Sequence, residues 1–287
     1  MNILVLGASG MLGSAVYRVF SERADWQVFG AVRSPDVKTF FPDKLAEGLV
    51  IGCDVEDHSA LEALMEQTRP DVVINCVALG KSSPHAGDPL RTIALLSILP
   101  QRLARLCRLA EARLVQISSD GVFSGAKGGY VEDDFPDATD LYGAAKFLGE
   151  VRDAQTITLR TSIIGHELQS GHGLVSWFLA QEHSCKCFTR AIFSGFPVVA
   201  LAGIMRDVIV PRPELSGIYH VAAQPISKFD LLSLVAEIYG KSIEMVPDDR
   251  VVIDRSLNAE RFRKVTGYVA PDWRELVTQM HYYHKQQ

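Results

Sequence analysis

Four positions separate Tyr142 from Lys146, so a helix carrying both projects the phenol and the ammonium from one face. A phenol titrating near its ordinary value of about 10 is a weak acid–base group at neutral pH. A neighbouring ammonium favours the phenolate and brings that value down. Upstream stands a hydroxyl pair, Ser118-Ser119. Ser, Tyr and Lys in this order can reduce a carbonyl. Ser119 would hold the carbonyl oxygen, Tyr142 would give it a proton, and Lys146 would tune Tyr142. Taken without the glycine loop, Tyr142 and Lys146 read better as two surface residues of an amphipathic helix.

A second motif gives the first its meaning. Gly7-Ala8-Ser9-Gly10-Met11-Leu12-Gly13 lies directly between an apolar run, Ile3 to Leu6, and a helical pattern, Met11 to Phe20. A tight strand-to-helix turn needs a residue free of Cβ, and close approach of a phosphate needs another. The helix N-terminus then offers unpaired N–H groups to a pyrophosphate. Gly7, Ser9, Gly10, Met11, Leu12 and Gly13 are therefore candidate dinucleotide-binding residues, and Tyr142 and Lys146 join them at the nicotinamide ribose. The glycines are spaced G-x-x-G-x-x-G rather than G-x-G-x-x-G. An NAD site usually puts an acid after the second strand. Here Ala31-Val32-Arg33-Ser34 follows it, and Arg33 can pair bidentately with a 2′-phosphate. NADPH is the expected cofactor, with NADH as the alternative; an exposed surface arginine is the plainer reading of Arg33. Asp54-Val55 falls at the end of the third strand, facing the adenine, where Asp54 can accept from the amino group or cap the next turn. Cys76-Val77-Ala78 ends the fourth strand and would run beneath the adenosine.

Composition bounds these readings. The chain has 287 residues, 47% of them hydrophobic, and a formal net charge of −5. That suits one large α/β domain or a domain with a smaller lobe, with no global basic field to draw in nucleic acid. Five cysteines at scattered spacing do not make a disulfide framework. Cys185-Lys186-Cys187 lacks the ligand spacing and second pair of a zinc site, so no metal is expected. The N-terminus lacks the basic region and long apolar run of a signal peptide, and no run is long enough to cross a bilayer. A cytoplasmic protein without membrane partners is expected.

The elements that must position the chemistry alternate in the first half. Strands are expected at Ile3–Leu6, Gln27–Val32, Leu49–Cys53, Val72–Cys76, Arg113–Ile117 and Thr156–Leu159. Helices are expected at Met11–Phe20, at Ser59–Thr68 after the cap Asp57, at Leu90–Ala110, and at Leu141–Asp153 after Thr139 or Asp140. Near-continuous apolar strands imply burial on both faces. The fold class is α/β, a Rossmann-type doubly wound parallel sheet with a small C-terminal substrate-binding lobe. Residues 1–162 form the dinucleotide-binding domain and residues 163–287 mainly the lobe. In the second part a helix containing Trp177 and Phe178, a strand at Lys186–Thr189 and a helix at Val198–Val210 are expected. A strand at Gly217–Val221 returns to the core, a helix at Phe229–Tyr239 stops at Gly240, and a last helix begins at Pro271.

These motifs together resemble the extended short-chain dehydrogenase/reductase family, and within it dTDP-4-dehydrorhamnose reductase and its sugar-nucleotide relatives. The family run Ser-Thr-Asp-Tyr-Val-Phe-Asp-Gly is similar to Ser118-Ser119-Asp120-Gly121-Val122-Phe123-Ser124-Gly125. Its Tyr-Gly-x-x-Lys-x-x-Gly-Glu run is matched by Tyr142 through Glu150. Leu159-Arg160-Thr161-Ser162 and Gly217-Ile218-Tyr219-His220-Val221 carry the likeness through Val221. The resemblance implies NAD(P)H-dependent reduction of a 4-keto group on a nucleoside-diphosphate-linked deoxyhexose, in making a surface polysaccharide. It also implies a homodimer through the helices Leu90–Ala110 and Leu141–Asp153. Departures point to a different sugar or nucleotide. Gly121 stands where the family has Tyr, Ile163 follows Arg-Thr-Ser in place of an aromatic residue, and Leu96 replaces an Asn, which removes a water relay.

Other residues carry two readings each. Asp120 would hydrogen-bond the sugar or fix its loop. Arg190, with Lys186, would bind a diphosphate or lie on a solvated strand edge. Trp177 would stack on a base or pack in the core. His220 would be catalytic or a satisfied, partly buried histidine. Two other functions compete with the reductase. A nucleotide-sugar epimerase would keep NAD tightly bound. A non-catalytic, NADP-binding regulatory subunit would resemble the β subunit of methionine adenosyltransferase.

Overall fold

The computed structural model describes residues 1–79, 87–169 and 171–287. A seven-stranded, wholly parallel sheet runs through the molecule. Its first six strands are β1 (Asn2–Leu6), β2 (Gln27–Val32), β3 (Leu49–Ile51), β4 (Val72–Asn75), β5 (Arg113–Ile117) and β6 (Thr156–Arg160). The order is β3-β2-β1-β4-β5-β6, and the strand Gly217–His220 pairs in parallel with β6 at the far edge. The order reverses between β1 and β4, the switch point at which such sheets bind ligands beyond their carboxyl ends.

Side-chain alternation divides the core. Ile3 and Val5 of β1 join one apolar cluster, with Ile74, Val115, Ile157 and Leu159. Leu4 and Leu6 join the other, with Val73 and Leu114. The second cluster is covered by the helices His58–Thr68 and Leu99–Leu109. The first is covered by α1 (Met11–Ser21) and by helices from the chain's second half, Val198–Ile204, Lys228–Tyr239 and Trp273–Lys285. Thus the first 162 residues share one core with the rest. Smaller strand pairs, among them Ser184–Phe188 with Glu244–Asp248 and Ala191–Phe193 with Ile226–Ser227 and Ile253–Asp254, form the lobe beside it.

Several element boundaries differ from the sequence pattern. The helix expected at Leu90–Ala110 is Pro89–Ile93, one π turn at Ala94–Ile98, then Leu99–Leu109. Pro100 has no N–H for the Leu96 carbonyl, so the ladder re-registers there. The helix expected to reach Asp153 stops at Leu148. A Cβ on Gly149 would run into the Leu96 carbonyl, and Glu150 is turned inward to the buried Arg160. Val198–Val210 likewise changes to a π turn at Met205–Ile209. Asp140, not Thr139, caps the Leu141 helix, accepting from Gly143 N–H at 2.9 Å. Gly240 ends its helix at φ +67°.

Candidate active site

The glycine loop is a cradle that side chains would fill. Gly7 has φ +75°, and a Cβ there would lie 3.2 Å from the Val77 nitrogen. Gly10 N–H donates to the Gly7 carbonyl at 2.9 Å, and Gly10 caps α1 without a side-chain bond. A Cβ on Gly13 would collide with the Gly7 carbonyl oxygen. The chain therefore needs glycine at 7 and 13, and the bare N-terminus of α1 leaves the Met11, Leu12 and Gly13 amides without helical acceptors. The Leu12 side chain itself is core. Met11 lies beneath the segment that follows β6, where a Cβ on Gly173 would stand 3.0 Å from its methyl.

Arg33 is exposed and lines a cavity of about 330 Å³ with Ser9, Ser34, Asp36 and Gln169. Its neighbour Asp36 is the one acid there, tied to Ser34 Oγ at 3.0 Å. Asp54 holds the next turn, its Oδ1 accepting from Glu56 N–H at 3.0 Å, and the carboxylate stays exposed. Val55 packs on the second cluster. Cys76 continues β4, its N–H donating to the Leu6 carbonyl, and burial pushes its thiol up to about 12. Val77 N–H donates to Asn75 Oδ1 at 3.1 Å while Asn75 Nδ2 donates to Gln116 at 2.8 Å, which fixes the Cys76-Val77-Ala78 segment at the switch point. These residues fit a dinucleotide with a phosphate at the helix N-terminus.

Across the switch point Ser119 follows β5 and Tyr142 opens the next helix. Their side chains are hydrogen-bonded. The Ser119 hydroxyl also accepts from Gly121 N–H at 2.9 Å and donates to Asp120 Oδ1 at 3.1 Å. A Cβ on Gly121 would lie 3.0 Å from the Tyr142 ring, so a side chain there needs that ring to shift by a few tenths of an ångström. Burial drives the Tyr142 phenol up, opposed first by Ser119 and reinforced by Asp120 and Asp140; Arg255 is the cation drawing it down. This corrects the expected lowering by Lys146: desolvation wins. Lys146 is itself buried and donates to the Ile117 carbonyl at 3.1 Å. Burial lowers its ammonium to about 8, with Cys76 and Glu150 working the other way. Asp120 is raised by burial and held by the Ser119 and Ser162 hydroxyls.

Ser119, Asp120, Gly121, Tyr142, Lys228 and Arg255 line one cavity of about 270 Å³, whose wall also includes Ser162. The sequence pattern marked neither Lys228 nor Arg255, and it marked Ser162 only as the end of the Arg160-Thr161-Ser162 motif. Lys228 opens a helix read as starting at Phe229, and Arg255 lies in a stretch with no periodic signal. Arg190 is exposed in the bend between Ser184–Phe188 and Ala191–Phe193 and is not among the described residues of this wall. Trp177, read as core, is 42% exposed.

His220 takes the satisfied, buried role. Its Nδ1 bonds to the Tyr130 carbonyl at 3.0 Å, and Arg160 lies 3.3 Å from Nε2. Burial, then Arg160, lowers it to about 3, so the ring is neutral. Arg160 grips Glu150 with two bonds, 2.7 and 2.8 Å, and Glu150 accepts from Ser118 at 2.9 Å. This buried network ties β5, the end of the Tyr142 helix and β6 into one frame behind the site; breaking such a pair costs about 3–5 kcal/mol. Cys185 and Cys187 are buried free thiols, with sulfurs 3.5 Å apart. Among the described residues there is no metal-binding cluster and no helix long and apolar enough to cross a membrane.

Fold and site define the class, a Rossmann-type protein of the extended short-chain dehydrogenase/reductase kind. The chain belongs to the RmlD substrate binding domain family, whose model matches residues 1–284. It is 33% identical over 250 residues to methionine adenosyltransferase 2 subunit beta of Xenopus laevis, covering 83% of this chain and 72% of that protein. It is 32% identical over 148 residues to dTDP-4-dehydrorhamnose reductase of Streptomyces griseus, covering 51% of this chain and 43% of that one. Among solved structures, dTDP-4-dehydrorhamnose reductase of Bacillus anthracis in complex with NADP superposes with a TM-score of 0.78 at 21% identity, covering 98% of each chain.

Proposed function

We propose that this protein is an NAD(P)H-dependent reductase of a 4-keto group on a nucleoside-diphosphate-linked deoxyhexose. The observation that carries the reading is the Ser119–Tyr142 hydrogen bond inside a cavity beside the glycine cradle. The Gly7–Gly13 loop would hold the pyrophosphate, Arg33 the 2′-phosphate, and Lys146 the nicotinamide ribose. A reduced nicotinamide bound there supplies the hydride. The chain's own residues supply the rest. Ser119 and Tyr142 share their hydrogen bond with the keto oxygen, Tyr142 gives its proton, and the phenolate left behind is stabilised by Arg255 and the Ser119 hydroxyl. A phenol held high by burial keeps its proton until a strong base forms, and the alkoxide is that base.

Loss of reduced-nicotinamide absorbance with dTDP- and UDP-linked 4-keto-6-deoxyhexoses tests the reading, wild type beside Tyr142→Phe. Turnover is expected to fall by roughly 10²- to 10⁴-fold in the variant, with NADPH affinity retained. Absence of turnover in wild type with every keto-sugar overturns it. A second reading, a non-catalytic regulatory subunit, is supported by the 33% identity to the methionine adenosyltransferase subunit. It predicts NADPH binding without turnover, and co-purification with a catalytic partner.

A further inference from the structure

The cavity that holds Ser119 and Tyr142 has an unusual charge arrangement. Lys228 is the first residue of the helix Lys228–Tyr239, capped by Ser227, whose Oγ accepts from Asp230 N–H at 3.0 Å. A cation at a helix N-terminus opposes the macrodipole, whose positive end lies there. The Lys228 ammonium is also partly buried, and it makes no hydrogen bond or ion pair with any described residue. Arg255 lines the same cavity. It donates Nε to the Phe123 carbonyl at 2.8 Å, and its ion pair with Asp140 is long, 4.0 Å. Desolvation first, and Arg255 least, disfavour the charge on Lys228, while Asp120 favours it. Asp120, the acid among the described residues of the wall, is engaged by the Ser119 hydroxyl, then by the charge of Arg255, the Ser162 hydroxyl and the Gly121 backbone. Among the described residues two cations thus share about 270 Å³ with a single carboxylate, which must serve both. A partly buried ammonium that opposes both its helix and its neighbour is costly unless an anion completes the site.

We propose that Lys228 and Arg255 form an anion-binding subsite that seats a phosphate or carboxylate group of the substrate beside Tyr142. This deepens the reductase reading, since the cavity is the same. Such a group has two sources, the diphosphate of a sugar nucleotide or a carboxylate carried on the sugar. The fork of Arg255 suits either planar or tetrahedral oxyanions, and Lys228 adds a point charge. Bound so, the anion would also fix the distance of the keto carbon from Tyr142. Lys228 is the residue to change, because folding uses none of its donors.

Titration calorimetry on the full chain with saturating NADPH, which occupies the glycine cradle, tests the subsite. Inorganic pyrophosphate probes the phosphate source and D-glucuronate the carboxylate source, in wild type, Lys228→Met and Lys228→Arg. At least one anion is expected to bind about tenfold more weakly to Lys228→Met and to recover in Lys228→Arg, as loss of one charge-assisted contact predicts. The anion that responds names the source. If neither anion's affinity changes between wild type and Lys228→Met, with NADPH binding intact in both, the subsite is overturned. Failure of the reductase reading would show separately, as absent turnover, because this readout needs none.

Discussion

Arg33 and Tyr142 illustrate opposite relations between a residue and its surroundings. Arg33 is exposed beside the glycine loop, and none of the hydrogen bonds or ion pairs among the described residues uses its guanidinium. No described residue holds it, as the proposed 2′-phosphate role requires. Its Ala variant is expected to lose tenfold or more in NADPH affinity while NADH affinity stays within a factor of two. Equal loss for both nucleotides, measured by fluorescence titration, would remove the 2′-phosphate role. Asp36 in the same wall has its carboxylate engaged by the Ser34 hydroxyl at 3.0 Å. Tyr142, by contrast, is wired into the fold through Ser119, Asp120 and Arg255, and its proton is set by burial before any neighbouring cation.

Among the elements, the C-terminal helix Trp273–Lys285 shows how a distant segment reaches the site. His284 stacks on His166 with ring centroids 3.6 Å apart, and His166 Nε2 lies 3.0 Å from the Tyr239 hydroxyl. His166 sits in the segment after β6 that covers Met11 and carries Gln169 to the Arg33 cavity. Burial, then His284 and His281, lowers His166 to about 4 from an ordinary 6.5. The folded state therefore prefers the neutral ring, and the unfolded chain takes up the proton first. Stability is full above pH 6.5 and falls as the pH drops from 6.5 towards 4. His166 is partly exposed, so the effect is screened. Between about pH 7 and 4.5, the thermal midpoint of wild type is expected to fall a few degrees more than that of His166→Phe. Parallel curves for the two would exclude His166 as the titrating group.

For the whole molecule, the packing of the Pro89–Leu109 stretch against the Leu141–Leu148 helix leaves apolar side chains outside. Ser97 Oγ donates to the Ala145 carbonyl at 2.9 Å and Gln101 to the Leu148 carbonyl at 3.1 Å, so the two helices form one face. On them Leu90 is 82%, Leu109 84% and Leu148 62% exposed. Leu90 and Leu109 lie at opposite ends of their stretch, roughly 28 Å apart along a helix, so these leucines are spread along the two helices; a twofold contact through both helices would cover them together. We expect a dimer through this face, with mass from light scattering halved in Leu148→Glu. A wild-type monomer at micromolar concentration would refute it.

How much of this was legible in the chain follows from the range of the forces involved. The glycine loop, the parallel strands, the cap Asp57 and the Tyr142–Lys146 face depend on neighbours within a few residues, so sequence by itself determined them, while it left Thr139 and Asp140 both open as the next cap. The helix ends at Leu148 and Ile204 were hidden because carbonyls and side chains from elsewhere override local pattern. The same holds for the site. Ser119 and Tyr142 were readable from motif and order. Lys228 and Arg255 were not, and Ser162 was readable only as part of a motif, since all three enter the cavity from separate segments beyond β6. The sequence also assigned the tuning of Tyr142 to Lys146 from their spacing along one helix. Only the tertiary structure decided otherwise. It buries the phenol, turns Lys146 to the Ile117 carbonyl and brings Arg255 across the cavity, because proton affinity answers to desolvation and through-space charge, which no spacing along the chain encodes.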